Sequence, residues 1–111
     1  MDIQSEMRGG AMILTVTEPR IDAAGAVAFK ERVRAITAGY DGRVVIDMAR
    51  VDFLDSSGLG ALVAVMKLLG GGRRLELARC GDVVRKVLSL TRMDSVFLLH
   101  DTLGDIERTA A

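Results

Sequence analysis

The chain keeps changing its hydrophobic period, and this alternation restricts its possible folds more than any other feature. Short apolar or β-branched runs are each followed by a segment whose apolar residues recur every three or four positions. Ala11-Met-Ile-Leu-Thr-Val-Thr17 is one such run, ended by Pro19. A weaker strand near Ile3 to Met7 precedes it, with Gly9-Gly10 turning the chain back. Asp22 is placed to cap a helix running to about Ala38, with Ala26, Phe29, Val33 and Ile36 on one side and Gly39 at its end. Arg43-Val-Val-Ile-Asp-Met48 is almost continuously apolar, the pattern of a strand buried on both faces. A second helix spans roughly Ser56 to Leu69 with the stripe Leu59, Leu62, Val63, Met66 and Leu69, of which Leu62, Val63 and Met66 are expected to face the sheet. Gly70-Gly71-Gly72 ends it.

The rest of the chain repeats the pattern. Leu75 to Ala78 alternates as a strand, and Asp82 caps a third helix with Val83 or Val84, Val87 and Leu88 inward. Val96 to Leu99 forms a last strand, and Thr102 to Ala110 a short final helix. Strands interleaved with helices predict an α/β fold: a mixed four- to five-stranded sheet with about four helices packed beside it. At 111 residues, half of them hydrophobic, the chain is read as one domain over 1–111 with a core of its own.

Charge and cysteine content exclude several function classes. Fifteen basic residues balance fifteen acidic ones, so no electrostatic footprint for nucleic acid or an anionic membrane exists. The apolar stretch around Leu59 to Leu69 is broken by Gly60 and Lys67, which argues against membrane insertion. Nothing at the amino terminus reads as a signal peptide. The single cysteine, Cys80, fits a reducing, cytoplasmic setting and leaves a metal site without partners. Cys80 is expected at a strand end, small and at least half-buried. No cofactor is expected either. Gly70-Gly71-Gly72 ends a helix and lacks a following Lys-Ser/Thr, so it is no phosphate loop.

The informative segment is Val45-Ile-Asp-Met-Ala-Arg-Val-Asp-Phe-Leu-Asp-Ser-Ser-Gly-Leu-Gly60. A strand leads to a helix start carrying a carboxylate and two hydroxyls. First-turn amides of a helix lack intrahelical acceptors, and the macrodipole adds positive potential there. Asp55 can cap these amides, and a phosphate on a serine beside it would be electrostatically tolerated. Capping alone is the competing explanation, because Asp and Ser are the usual N-cap residues.

Asp55-Ser-Ser-Gly-Leu-Gly60, following an apolar strand and a Phe-Leu pair, closely resembles the signature of the STAS family, whose bacterial members include anti-sigma-factor antagonists. Gly70-Gly-Gly-Arg-Arg-Leu-Glu-Leu77 resembles that family's glycine turn and next strand, Val83 to Leu90 its next helix, and Asp94-Ser-Val-Phe97 its last strand. The resemblance implies a switch that binds an anti-sigma factor, itself a serine kinase, when unphosphorylated, thereby freeing a sigma factor. A serine phosphatase is a further candidate partner. It implies Ser56 as the phosphate acceptor with Ser57 as second choice, and a partner surface including Asp22, Asp55, Ser56, Ser57, Gly58 and Leu59. One stretch departs from the family pattern. Ile21-Asp-Ala-Ala-Gly-Ala26 offers few polar groups before the first helix, with only Asp22 in the expected place.

Two other functions compete. A STAS domain without a phosphoswitch would serve as a constitutive subunit of another assembly, such as a transporter complex; the serine pair argues mildly against it. An enzyme would need a base, and His100, the only histidine, follows the last strand as an expected surface residue. No Gly-x-Ser-x-Gly elbow holds a nucleophile for it, so no catalytic residue is assigned. Arg73 and Arg74 are read as solvated flanks. Among the methionines, Met48 and Met66 fall at core positions and Met93 at an exposed junction.

Overall fold

The computed structural model describes residues 1–108. Its first strands, β1 (Ile3–Arg8) and β2 (Ala11–Val16), form an antiparallel hairpin. The turn is Gly9-Gly10, with φ of 55° and 79°. A two-residue hairpin turn of this kind needs positive φ at both positions, which glycine supplies without a steric penalty. After a two-residue strand, β3 (Arg20–Ile21), comes α1 (Ala26–Thr37) and then β4 (Arg43–Asp47), which pairs in parallel with β2. A second two-residue strand, β5 (Phe53–Leu54), leads into α2 (Ser56–Leu69). The chain continues through β6 (Glu76–Ala78), α3 (Asp82–Leu90), a 3-10 turn at Met93–Ser95, β7 (Leu98–His100) and α4 (Leu103–Arg108).

The five-stranded sheet has the order β1-β2-β4-β6-β7 and is mixed, antiparallel only at β1–β2. The predicted sheet and four helices are therefore present. A separate ribbon of β3 and β5 was not anticipated.

One face of the sheet carries the main core. Leu14, Val16, Val44, Ile46, Leu75 and Leu77 meet Phe29 and Val33 of α1, Leu62 and Val65 of α2, and Val84 and Leu88 of α3. On the other face Ala11, Ile13, Val45 and Ala78 are covered by Ile106 of α4. Burial on both faces explains why β4 reads as a continuous apolar run.

Several sequence-based expectations need correction. Asp22 does not cap α1, which starts at Ala26 after a turn and has Gly25 at its N-cap without a side-chain bond. Gly81, likewise, occupies the N-cap of α3, and Asp82 is already helical. On α3, Val84 and Leu88 are buried while Val83 is exposed. The last strand begins at Leu98, because Met93–Ser95 coils into the 3-10 turn. Of the final helix, Leu103–Arg108 is described, and residues 109–110 lie outside the described residues.

The inward face of α2 is rotated from the expected stripe. Gly58, Ala61, Leu62, Val65 and Leu69 are buried, whereas Leu59, Val63 and Met66 are half-buried against the core. Leu62→Ala should therefore cost about 2–5 kcal/mol, and Val63→Ala clearly less. Urea midpoints of the two variants measure this, and equal shifts would contradict the orientation of α2.

Arg73 and Arg74 are not simple solvated flanks. Arg73 donates to the carbonyls of Tyr40 (3.2 Å), Gly42 (2.7 Å) and Leu69. Arg74 reaches those of Ser95 and Phe97, each at 3.2 Å. The two guanidiniums thus bind carbonyls before β4, at the end of α2 and before β7. Met48 is in the core as expected, and Met66 and Met93 are half-buried against it.

His100 is also misjudged as a surface residue. It is 4 % exposed, on the back of the sheet, with Nε2 2.8 Å from Oε1 of Glu76. Glu76 is buried too, and Arg43 grips its two oxygens at 2.9 and 2.6 Å. Cys80 is buried at the end of β6, where burial pushes its thiol up to about 11.

Candidate functional site

The site is assembled where the β3–β5 ribbon meets the helices. Arg20 and Ile21 pair in parallel with Phe53 and Leu54, so the two chain segments that precede α1 and α2 emerge side by side. At Asp55 the backbone is still extended (φ −101°, ψ −174°), and the helix begins at Ser56. The Asp55 carboxylate joins both segments. Oδ1 accepts the Gly58 N–H at 2.9 Å, capping α2, and Oδ2 accepts the Ala23 N–H at 3.3 Å from the turn before α1. Asp55 is thus the cap that the sequence predicts, with an additional tie across the site.

Asp22 lies on the opposite side of the same corner. Its Oδ2 accepts from Arg20 Nε at 3.0 Å and its Oδ1 from the Gly25 N–H at 3.3 Å. The Arg20 bond holds the Asp22 carboxyl below the usual aspartate range, so it is anionic at neutral pH. Arg20 also lies over the Phe53 ring, 4.0 Å from its centroid, which ties β3 to β5 through side chains.

The hydroxyls of Ser56 and Ser57 are exposed on the first turn of α2. Gly58 beneath them is buried. A Cβ there would stand 2.0 Å from the Ile21 carbonyl oxygen, so only glycine lets α2 sit this close to β3. Its contribution is to that joint and not to exposed surface. Leu59 is half-buried, turned toward the core. Two shallow depressions flank the start of α1. One, of about 380 Å³, is lined by residues including Pro19, Arg20, Asp22, Gly25 and Ala28. The other, of about 190 Å³, lies between α1 and α2 beside Ser57.

The structure therefore gathers Asp22, Asp55, Ser56 and Ser57 at one corner, with Gly58 and Leu59 below it. Sequence reasoning missed Arg20 and Phe53, whose strands are too short to show a period. It also missed the Asp55–Ala23 link. The corner offers a start of α1 without a side-chain bond from its N-cap, a capped start of α2 and exposed hydroxyls. It can accept an anionic group or a partner surface. His100 is far from serving as a base here, being bonded to Glu76 behind the sheet. Among the described residues no cluster of three metal-ligating side chains occurs, and no helix is long and apolar enough to cross a membrane.

Residues 2–106 match the STAS domain family. The chain belongs to that family. It is 33 % identical over 85 residues to the anti-sigma-F factor antagonist RsfB of Mycobacterium tuberculosis, a match covering 77 % of this chain and 70 % of RsfB. An anti-sigma factor antagonist from Mycobacterium paratuberculosis has the same fold with a TM-score of 0.80 and 30 % identity, over 94 % of this chain and 88 % of that one. A putative antagonist from Thermotoga maritima superposes with a TM-score of 0.82 at 24 % identity, over 96 % of this chain and 92 % of that one. The five-stranded sheet with four helices is thus the STAS arrangement, and the family reading made from Asp55-Ser-Ser-Gly-Leu-Gly60 agrees with these matches.

Proposed function

We propose that this STAS domain is a phosphorylation-controlled protein-binding switch, with Ser56 as the acceptor. Unphosphorylated, it binds an anti-sigma factor that is a serine kinase, and a sigma factor is released; phosphate on Ser56 ends that binding. The observation that carries the reading is the exposed Ser56 hydroxyl on the first helical residue of α2, next to the carboxylate that fastens α2 to the turn before α1. Its similarity to RsfB supports an anti-sigma factor as the class of partner. A phosphate adds about −1.5 to −2 charges at neutral pH. With the side chains of Asp55 and Asp22 already at this corner, the addition opposes any partner that meets it with carboxylates or close apolar packing. The working surface comprises Asp22, Asp55, Ser56 and Ser57, a cytoplasmic location follows from such a partner, and a serine phosphatase would reset the switch.

Ser56→Ala should abolish phosphorylation yet keep partner binding, since a methyl group adds no charge. Ser56→Asp should weaken binding. Incubation of wild type, Ser56→Ala and Ser57→Ala with anti-sigma factor serine kinases and ATP, then peptide mass mapping, decides the matter. Phosphate on Ser57 with none on Ser56 in the wild type would move the acceptor; binding that is the same with and without phosphate would replace the switch by a constitutive STAS subunit.

A further inference from the structure

Ser57 differs from Ser56 in what lies beside it. Ser57 lines the depression of about 190 Å³ between α1 and α2, together with Ala26, Val27, Lys30, Gly60 and Ala61. Ser57 is its one hydroxyl and Lys30 its one charged group. Lys30 takes part in none of the ion pairs among the described residues. Ser56 does not line this depression. Its immediate neighbour is Asp55, and Asp22 and Arg20 are paired with each other across the corner. Asp55 is thus the residue next to Ser56, whereas the Lys30 ammonium shares the groove that Ser57 lines.

We propose that Ser57 is a second modification site, whose phosphate is received by Lys30 in the α1–α2 groove. This deepens the phosphoswitch reading by separating two marks on adjacent residues. Phosphate on Ser56 adds negative charge to a corner that already holds two carboxylates. Phosphate on Ser57 fills the groove and neutralises its only cation, so it changes the shape of the surface more than its charge. An ammonium is a mobile point charge on a flexible stem, suited to meeting a phosphate from several directions. The walls are alanine, valine and glycine, which offer the phosphate no competing cation and Lys30 no competing carboxylate.

The test uses four proteins, with phosphoserine inserted during translation at position 56 or 57, each with and without Lys30→Gln. Phosphorus NMR titration reads the second ionisation of each phosphate, which lies near pH 6 in the absence of neighbours. The charged groups around it are Lys30 on α1, Asp55 at the start of α2, and Arg20 and Asp22 on β3 and the turn after it. The phosphate at 57 should ionise about half a pH unit below that at 56, an exposed pair being partly screened. Lys30→Gln should raise the pH at which the phosphate at 57 ionises and leave the phosphate at 56 unchanged. Equal ionisation at the two positions, or the same response of both to Lys30→Gln, would overturn the proposal. Because no kinase is used, the result is independent of whether Ser56 is the acceptor in the kinase assay. Lys30 is half-buried on the surface of α1, and thermal melts of the four proteins are to check that the fold is common to them.

Discussion

Glu76→Ala should destabilise the domain by about 3–5 kcal/mol, the usual cost of removing one partner from a buried charge pair. That is a large share of the roughly 5–15 kcal/mol that holds a domain folded. Glu76 lies on β6, beneath the back face of the sheet, and accepts two bonds from Arg43 and one from His100. Arg43 also donates to the Ile106 carbonyl at 3.1 Å, so the network holds α4 in place as well as joining three strands. Without the carboxylate, a guanidinium and an imidazole are left with no anion, and α4 loses an anchoring point.

The same residue sets an acid limit. Burial pushes the Glu76 carboxyl up, but its bonds from Arg43 and His100 outweigh burial and hold it below the ordinary 4.5. A carboxyl with a lower folded than unfolded pKa contributes fully above the unfolded value, and the contribution is lost as pH falls through the folded one. Wild-type stability should therefore decline as pH falls from about 4.5. Glu76→Gln, less stable at neutral pH, should show a shallower decline over that range. Urea unfolding from pH 7 to pH 3 tests this; parallel curves for the two proteins would mean that Glu76 does not govern the acid limb.

Gly58→Ala should cost about 2–3 kcal/mol, although alanine is the better helix former by about 1 kcal/mol. The new Cβ would stand 2.0 Å from the Ile21 carbonyl oxygen and 2.8 Å from Leu54 Cδ1. The oxygen belongs to backbone and has no rotamer by which to withdraw, so α2 or β3 must move. Gly60→Ala provides the control on the same helix. It has nothing within 4 Å of its Cβ position, and should gain up to about 1 kcal/mol. Opposite shifts of the urea midpoint are expected, and shifts of the same sign would show that no steric demand of this joint requires glycine at position 58. Since the displaced elements carry Asp55 and Ala23, Gly58→Ala should also weaken the capping link, visible as faster exchange of the Ala23 and Gly58 amides.

The elements that were legible in the sequence are those long enough to repeat a period. The bounds of α2, Ser56 and Leu69, agree with the reading, because Asp55 caps one end and three glycines stop the other. Its inner face was legible only in part: Leu62 and Leu69 are buried as expected, but Gly58 and Ala61, also buried, carry little hydrophobicity to mark them. The strands β3 and β5 have two residues each, fewer than any period needs, and with them Arg20, Phe53 and the tie between Asp55 and Ala23 were missed. Charge misled the reading of the back face. Glu76 and His100 look like surface residues until Arg43, 33 positions earlier, is seen to bind Glu76. Ser56 and Asp55 could be singled out because a local motif held them, whereas Lys30 gains its interest only from the packing of α1 on α2.

The burial of Cys80 makes the domain convenient to label. With its thiol pushed up to about 11, roughly one molecule in ten thousand carries the reactive thiolate at pH 7. The side chain is only 8 % accessible. A cysteine introduced at an exposed position of α1 or α2 would be the thiol that reacts with a maleimide dye, with the native residue left in place. Spectroscopic probes can thus be set around the serine pair one at a time, and each reports from a single address.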